Sequence, residues 1–308
     1  MWRILALAWL ASQGLTAAQP TREVTSQAAL VSNQLVPAFY NGYIYFVDDG
    51  NNYIRLYSPE GPLTLATGIQ QQKPGPVWTQ SVAVDTDGTV AISWAYGKEG
   101  GGTAEIDLLD GNGRVTSSIA TGSYIPAHIT FDSNHNIWTF GLDSAVEWIS
   151  HQSGDYLTVR KYSRDGKQLG AWLPRSSFPV GLAPAEQSWQ SRCITVTADR
   201  IGLLAYSGKS GSHQEWVEMG LDGNLIGRWD VDAVGGASVT LTTDDHVYYQ
   251  QATSTNHVQL YTLDRTNAQW TPIASPMKGQ LAGADGTNLV FFPWGQGPLH
   301  LYWFQQPN

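Results

Sequence analysis

The chain has 308 residues, of which 42% are hydrophobic and only 14% charged, and it carries a net charge of −9. That is enough apolar material for a large core, which excludes intrinsic disorder. An acidic chain without a basic, aromatic-studded stripe also excludes nucleic acid as a natural partner. The single cysteine, Cys193, excludes an internal disulfide, so packing must hold the fold.

Residues 1–18 read as a secretory leader. Arg3 gives a short positive start, residues 4–10 an apolar run, and Thr16-Ala17-Ala18 small residues for cleavage before Gln19. The run is too short to span a bilayer, and no later stretch approaches the ~20 apolar residues of a membrane helix. The remaining chain, 19–308, is expected to be one domain, secreted or periplasmic, with no membrane insertion.

Beyond the leader, 24–31 reads as a strand, and then two kinds of turn alternate. The first unit has Asn41-Gly42 and Pro59-Glu60-Gly61, the second Asp87-Gly88 and Asp110-Gly111. The third has Asn134-His135-Asn136 and Arg164-Asp165-Gly166, the fourth Asp199-Arg200 and Asp222-Gly223. The fifth has Asp244-Asp245-His246 and Asp264-Arg265, and the sixth ends after Gly286-Thr287-Asn288 and one further strand. These residues reach positive φ or cap a turn with a side-chain oxygen, so they mark hairpins.

The strands between them keep register. Apolar residues recur eight positions apart at Val36 and Ile44, Val82 and Val90, Ile129 and Ile137, Val239 and Val247, and Leu281 and Leu289. The fourth unit is irregular, with Ile194 followed by Ile201 or Gly202. Alternation of period two, as in TVAISWAY and HVQLYTL, indicates strands, and no amphipathic helix is evident after the leader. Units of four short antiparallel strands arranged radially make an all-β, six-bladed β-propeller. Trp138, Tyr45, Tyr248, Trp216, Trp172, Trp229 and Trp270 are expected to fill the wedges between blades. The sixth unit lacks its outer strand, which 24–31 would supply, closing the ring.

In residues, IPAHITFDSNHNIWTFG followed by KYSRDGKQLGAW resembles a repeat of the NHL type, and SVAVDTDGTVAIS with IDLLDGNGRV is a looser copy. Propellers similar to these include binding scaffolds, lyases and metal-dependent lactonases of the gluconolactonase kind. In the last, a Glu-Gly-Pro-x-Trp stretch supplies a metal-binding Glu. Here the stretch is Pro74-Gly75-Pro76-Val77-Trp78, and Pro74 has no side-chain donor oxygen.

Ligands of such a ring are expected at the channel mouth that carries the longer loops. Gln80, Ser81, Ala127, His128, Arg192, Cys193, Ala237, Ser238, Gly279 and Gln280 precede the inner strands and should line it. His128 reads as a general base, a metal ligand or a hydrogen-bonded channel residue. Arg192 reads as a holder of carboxylate or phosphate, or as the partner of a neighbouring Asp. Two long loops, 141–156 with Asp143, Glu147, Trp148, His151 and Asp155, and 174–190 with Arg175, Phe178, Glu186 and Trp189, flank the third unit as a cap. Trp78, Tyr96, Gln251 and Trp294 complete the rim. Asp85-Thr86-Asp87-Gly88 resembles half a calcium loop without its closing Glu, and reads as a hairpin. No residue set calls for a cofactor, and a divalent metal is left open. Binding of a small molecule, glycan, peptide or protein is favoured over a lyase or hydrolase built on His128 and Arg192.

Overall fold

The computed structural model describes residues 18–31, 38–48, 53–58, 61–68, 77–97, 102–150, 154–179, 183–185, 194–207, 213–231, 238–254 and 257–306. Six four-stranded antiparallel sheets form a six-bladed β-propeller. Blade 1 is β2 (Ala38–Tyr40), β3 (Tyr43–Asp48), β4 (Tyr53–Tyr57) and β5 (Leu63–Gly68). Blade 2 is β6 (Val77–Val84), β7 (Val90–Tyr96), β8 (Thr103–Leu109) and β9 (Val115–Gly122). Blade 3 is β10 (Tyr124–Phe131), β11 (Ile137–Asp143), β12 (Leu157–Tyr162) and β13 (Gln168–Pro174). Blade 4 is β14 (Ile194–Val196), β15 (Arg200–Ser207), β16 (His213–Gly220) and β17 (Leu225–Val231). Blade 5 is β18 (Ser238–Leu241), β19 (Val247–Ser254), β20 (His257–Asp264) and β21 (Gln269–Ile273).

Blade 6 joins both ends of the described chain. Its inner strands are β22 (Gln280–Asp285), β23 (Asn288–Phe292) and β24 (Gly297–Phe304), and its outer strand is β1 (Arg22–Val31). Arg22 pairs with Trp303 and Thr25 with His300, and the backbone N–H of Thr21 already donates to Trp303 O at 2.7 Å. The N-terminal strand therefore closes the ring, as the missing outer strand of the sixth unit implied, and it covers the edge that β24 would otherwise expose. The leader, residues 1–18, lies outside the described residues up to position 17.

One turn recurs around the ring and explains the repeat. The first residue donates to the fifth carbonyl and accepts from the fourth N–H, as in Asp85–Thr89, Asp110–Arg114, Ser163–Lys167 and Gly220–Asn224. The fourth position is left-handed, and glycine fills it at Gly61, Gly88, Gly113, Gly166 and Gly223. His135 (φ 62°) and Asp245 (φ 74°) take the same position without being glycine, at a cost of about 1 kcal/mol each. Both use their side chains, as described below.

The irregular fourth unit also has a physical cause. Its inner hairpin is one residue shorter, with Val196 opposite Ile201 and Ile194 opposite Leu203. Ile201 is fully buried, and Gly202 beside it is covered by the Trp216 indole, where any Cβ would collide. Of the predicted aromatics, Trp138 stacks on Trp172 across the face of blade 3 with centroids 5.0 Å apart, and Trp172 in turn meets Gly223 of blade 4; in blade 5, Trp270 meets Tyr249 edge-on.

Candidate functional site

The chain reverses tightly between inner and second strands, and between third and outer strands, at one end of the ring. The other connections emerge at the opposite, loop-bearing end, where the sequence placed the site. His128 sits near this end, but not on a loop. The connection from β9 to β10 is the single residue Ser123, which draws β10 upward, so His128 falls inside the inner strand opposite Phe140. The same lengthening places Gln80 and Ser81 within β6, at its bulge.

His128 is 7% exposed, and its Nε2 lies 3.1 Å from the carbonyl oxygen of Ala185. A carbonyl only accepts, so Nε2 carries the proton and Nδ1 is left as acceptor. The ring packs on Phe140, which packs in turn on Phe178. Burial pushes the imidazole down to about 4, and the bond to Ala185 opposes this only in part. At neutral pH the group is an uncharged strut between β10 and the crossover that contains Ala185.

Above blade 3, the two long connections are fastened to each other. Residues Ala145–Ser150 form a short, wide helical turn within the first of them. Asp143 caps it, accepting from Ala145 N at 3.0 Å and from Ser123 Oγ at 3.1 Å. Glu147 Oε1 accepts from the Tyr156 hydroxyl and from Arg175 Nε, both at 2.8 Å. Burial, and then the bond to Glu147, raise the Tyr156 phenol well above its usual range. Asp155 accepts from both the backbone N–H and the hydroxyl of Ser176. Arg228 from blade 4 donates to Ser177 and lies over Phe178 at 4.6 Å. The connections that the sequence marked as a cap thus form an ordered lid in their described parts.

The remaining predicted residues distribute around the same end. Trp78 at the start of β6 and Trp294 in blade 6 are 45% and 38% exposed, on either side of blade 1. Tyr96 ends β7 and packs against the blade 2 core, and Gln280 begins β22 opposite Phe292. Arg192, Cys193, Trp189 and Pro74 lie outside the described residues. The Trp148 backbone belongs to the helical turn, and its side chain is outside them.

The turn-bearing end holds groups that the sequence reading left as simple hairpins. Asp85, Asp87 and His135 bring ligand atoms within 4.8 Å of one another, a spacing that suits a cation. Arg164, reaching across from blade 3, already fills that role: it grips Asp87 bidentately at 2.7 and 3.0 Å and bonds Asp85, while His135 Nδ1 lies 3.0 Å from Asp85. The guanidinium holds Asp87 well below the usual carboxylate range. Between blades 4 and 5, Glu218, fully buried, accepts from Arg200, Arg265 and the Trp216 indole, with Asp245 completing the set. Asp132 is fully engaged by Lys161, Asn136 and Trp138; these donors outweigh the burial that opposes them, and its carboxyl is lowered. The inner strands leave a cavity of about 250 Å³ at this end.

No family model matches the chain, and no curated protein matches it in sequence. Solved structures do resemble it. A Bacteroides fragilis protein named as exported shares 8% identity over 93% of this chain and 95% of its own, with a TM-score of 0.53. A gluconolactonase from Xanthomonas campestris shares 12% identity over 87% of this chain and 84% of its own, with a TM-score of 0.50. At these identities the likeness is one of fold.

Proposed function

We propose that this protein is an exported propeller that binds a ligand or partner at its loop-bearing mouth and performs no chemistry there. One observation carries the reading: of the mouth residues that the sequence singled out for acid–base work, those described are committed to structure. His128 holds Ala185 and is neutral, Glu147 holds Arg175 and Tyr156, Asp143 caps a helical turn, and Asp155 holds Ser176. A base near pKa 4 takes up protons poorly at neutral pH. Trp78 and Trp294 are among the groups the mouth leaves open, and such rings give large contact area at low entropic cost. Export is supported by the leader pattern of residues 1–18. No helix among the described residues is long and apolar enough to cross a membrane.

The competing reading is a lyase or metal-dependent hydrolase working through His128 and Arg192. The test is metal content of chelator-free protein, together with turnover of sugar lactones. The binding reading expects no stoichiometric divalent ion and no turnover, and expects His128→Gln to keep whatever ligand the wild type captures. A bound metal with lactone hydrolysis lost in His128→Gln would overturn it.

A further inference from the structure

We infer that the cavity at the turn-bearing end of the channel is a second binding site, for a small, neutral, polyhydroxylated molecule such as a single-ring sugar or a cyclic polyol. The six inner strands converge there, and the cavity, about 250 Å³, is walled by their last residues and first turns. Drug-sized ligands need roughly 300–1,000 Å³, so one ring is the appropriate occupant.

The chemistry follows from which wall groups retain hydrogen-bonding capacity. Asp85 and Asp132 line the cavity, but Arg164, His135, Lys161, Asn136 and Trp138 occupy them. Asp285 is different. Among the described residues its one side-chain bond is from the Trp303 indole to Oδ2 at 2.8 Å, leaving Oδ1 open as a charged acceptor. Asn41 donates through Nδ2 to Val84 O at 2.8 Å and keeps its amide oxygen. Thr240, on a neighbouring inner strand, lines the wall and adds a hydroxyl, whereas the Thr195 hydroxyl is buried out of reach of the cavity.

Val196 and Leu241 supply apolar wall between these polar groups. The set is one open carboxylate, one amide oxygen, the Thr240 hydroxyl and an aliphatic surface. An anion would meet the open Asp285 carboxylate, with Asp85 and Asp132 already matched by Arg164 and Lys161, and be repelled. A metal ion would find one open carboxylate where hard cations take six or more oxygens. A hydrocarbon would strand the open oxygens. A sugar ring suits the wall: its hydroxyls would donate to Asp285 and Asn41 and exchange a bond with Thr240, and its C–H face would rest on Val196 and Leu241. This site is independent of the loop-bearing mouth.

The experiment titrates the full-length mature protein with D-glucose, D-galactose, D-mannose and myo-inositol, read by saturation-transfer NMR and calorimetry. The expected result is saturable one-to-one binding of at least one probe. Asp285→Asn keeps an acceptor for Trp303 and should weaken binding about tenfold or more, because a charged acceptor is lost. Ala284→Leu, which fills the cavity, should abolish binding, with Thr240→Val as the milder check if that variant folds poorly. Trp78→Ala and Trp294→Ala should leave the titration unchanged, separating this site from the other mouth. Absence of binding by all four probes, or binding that survives both Ala284→Leu and Thr240→Val, overturns the inference.

Discussion

Replacing His128 by glutamine should flatten the pH dependence of stability between about pH 6.5 and pH 4. The imidazole is held near 4 in the folded protein against an ordinary value of 6.5, because burial disfavours its charged form. Within that window the unfolded chain binds a proton that the native chain refuses, so stability falls as pH is lowered and levels off below the native value. Treated as one site, His128 removes about 2 kcal/mol between pH 8 and pH 5, and about 3 kcal/mol by pH 4. Glutamine retains an N–H to donate to Ala185 O but does not titrate. The wild-type advantage at pH 8 should therefore shrink by about 2 kcal/mol at pH 5, roughly 4 °C in Tm for a domain of this size. Urea or thermal unfolding of both proteins across pH 4–8 measures this, and taking their difference cancels groups elsewhere. Parallel curves would refute the reasoning, showing that His128 is solvated or carries its proton in the fold.

Further outcomes follow from the same structure. Deleting residues 19–31 removes the strand paired to β24 and should abolish monomeric, cooperative unfolding; retained Tm by calorimetry would break the ring-closure argument. Glu218→Gln should cost about 3–5 kcal/mol, since Arg200 and Arg265 lose a fully buried countercharge, measurable as a lowered urea midpoint. Gly223→Ala places a Cβ at φ 91° against the Trp172 indole and should destabilise by about 2 kcal/mol or more, whereas Gly111→Ala, with open space around it, should be nearly neutral.

The architecture was legible because it is written in local signals. A Gly, Asn or Asp at the left-handed position of most hairpins, and an alternating run on each side, are readable within ten residues. Closure by 24–31 followed from counting strands in the sixth unit. The site was less legible because its determinants are long-range. Arg164 meets Asp85 across 79 positions and Arg265 meets Glu218 across 47, so no spacing rule reveals either latch. His135 and Asp245 carried a usable signal: where neighbouring repeats have glycine, a costly side chain is retained. His128 was expected to line the channel mouth, but the one-residue link at Ser123 places it within strand β10, buried beside Phe140. The carboxylates of the lid, promising as loose sequence, are engaged by Arg175, Tyr156 and Ser176 once folded.

The most direct test of the central claim, binding without chemistry at the loop-bearing mouth, is a glycan and peptide array probed with wild-type protein and with the Trp78→Ala/Trp294→Ala double variant. The account predicts a reproducible ligand class for the wild type that the folded double variant loses. An identical array signal from both proteins, or no signal alongside metal-dependent turnover of a lactone, would contradict it.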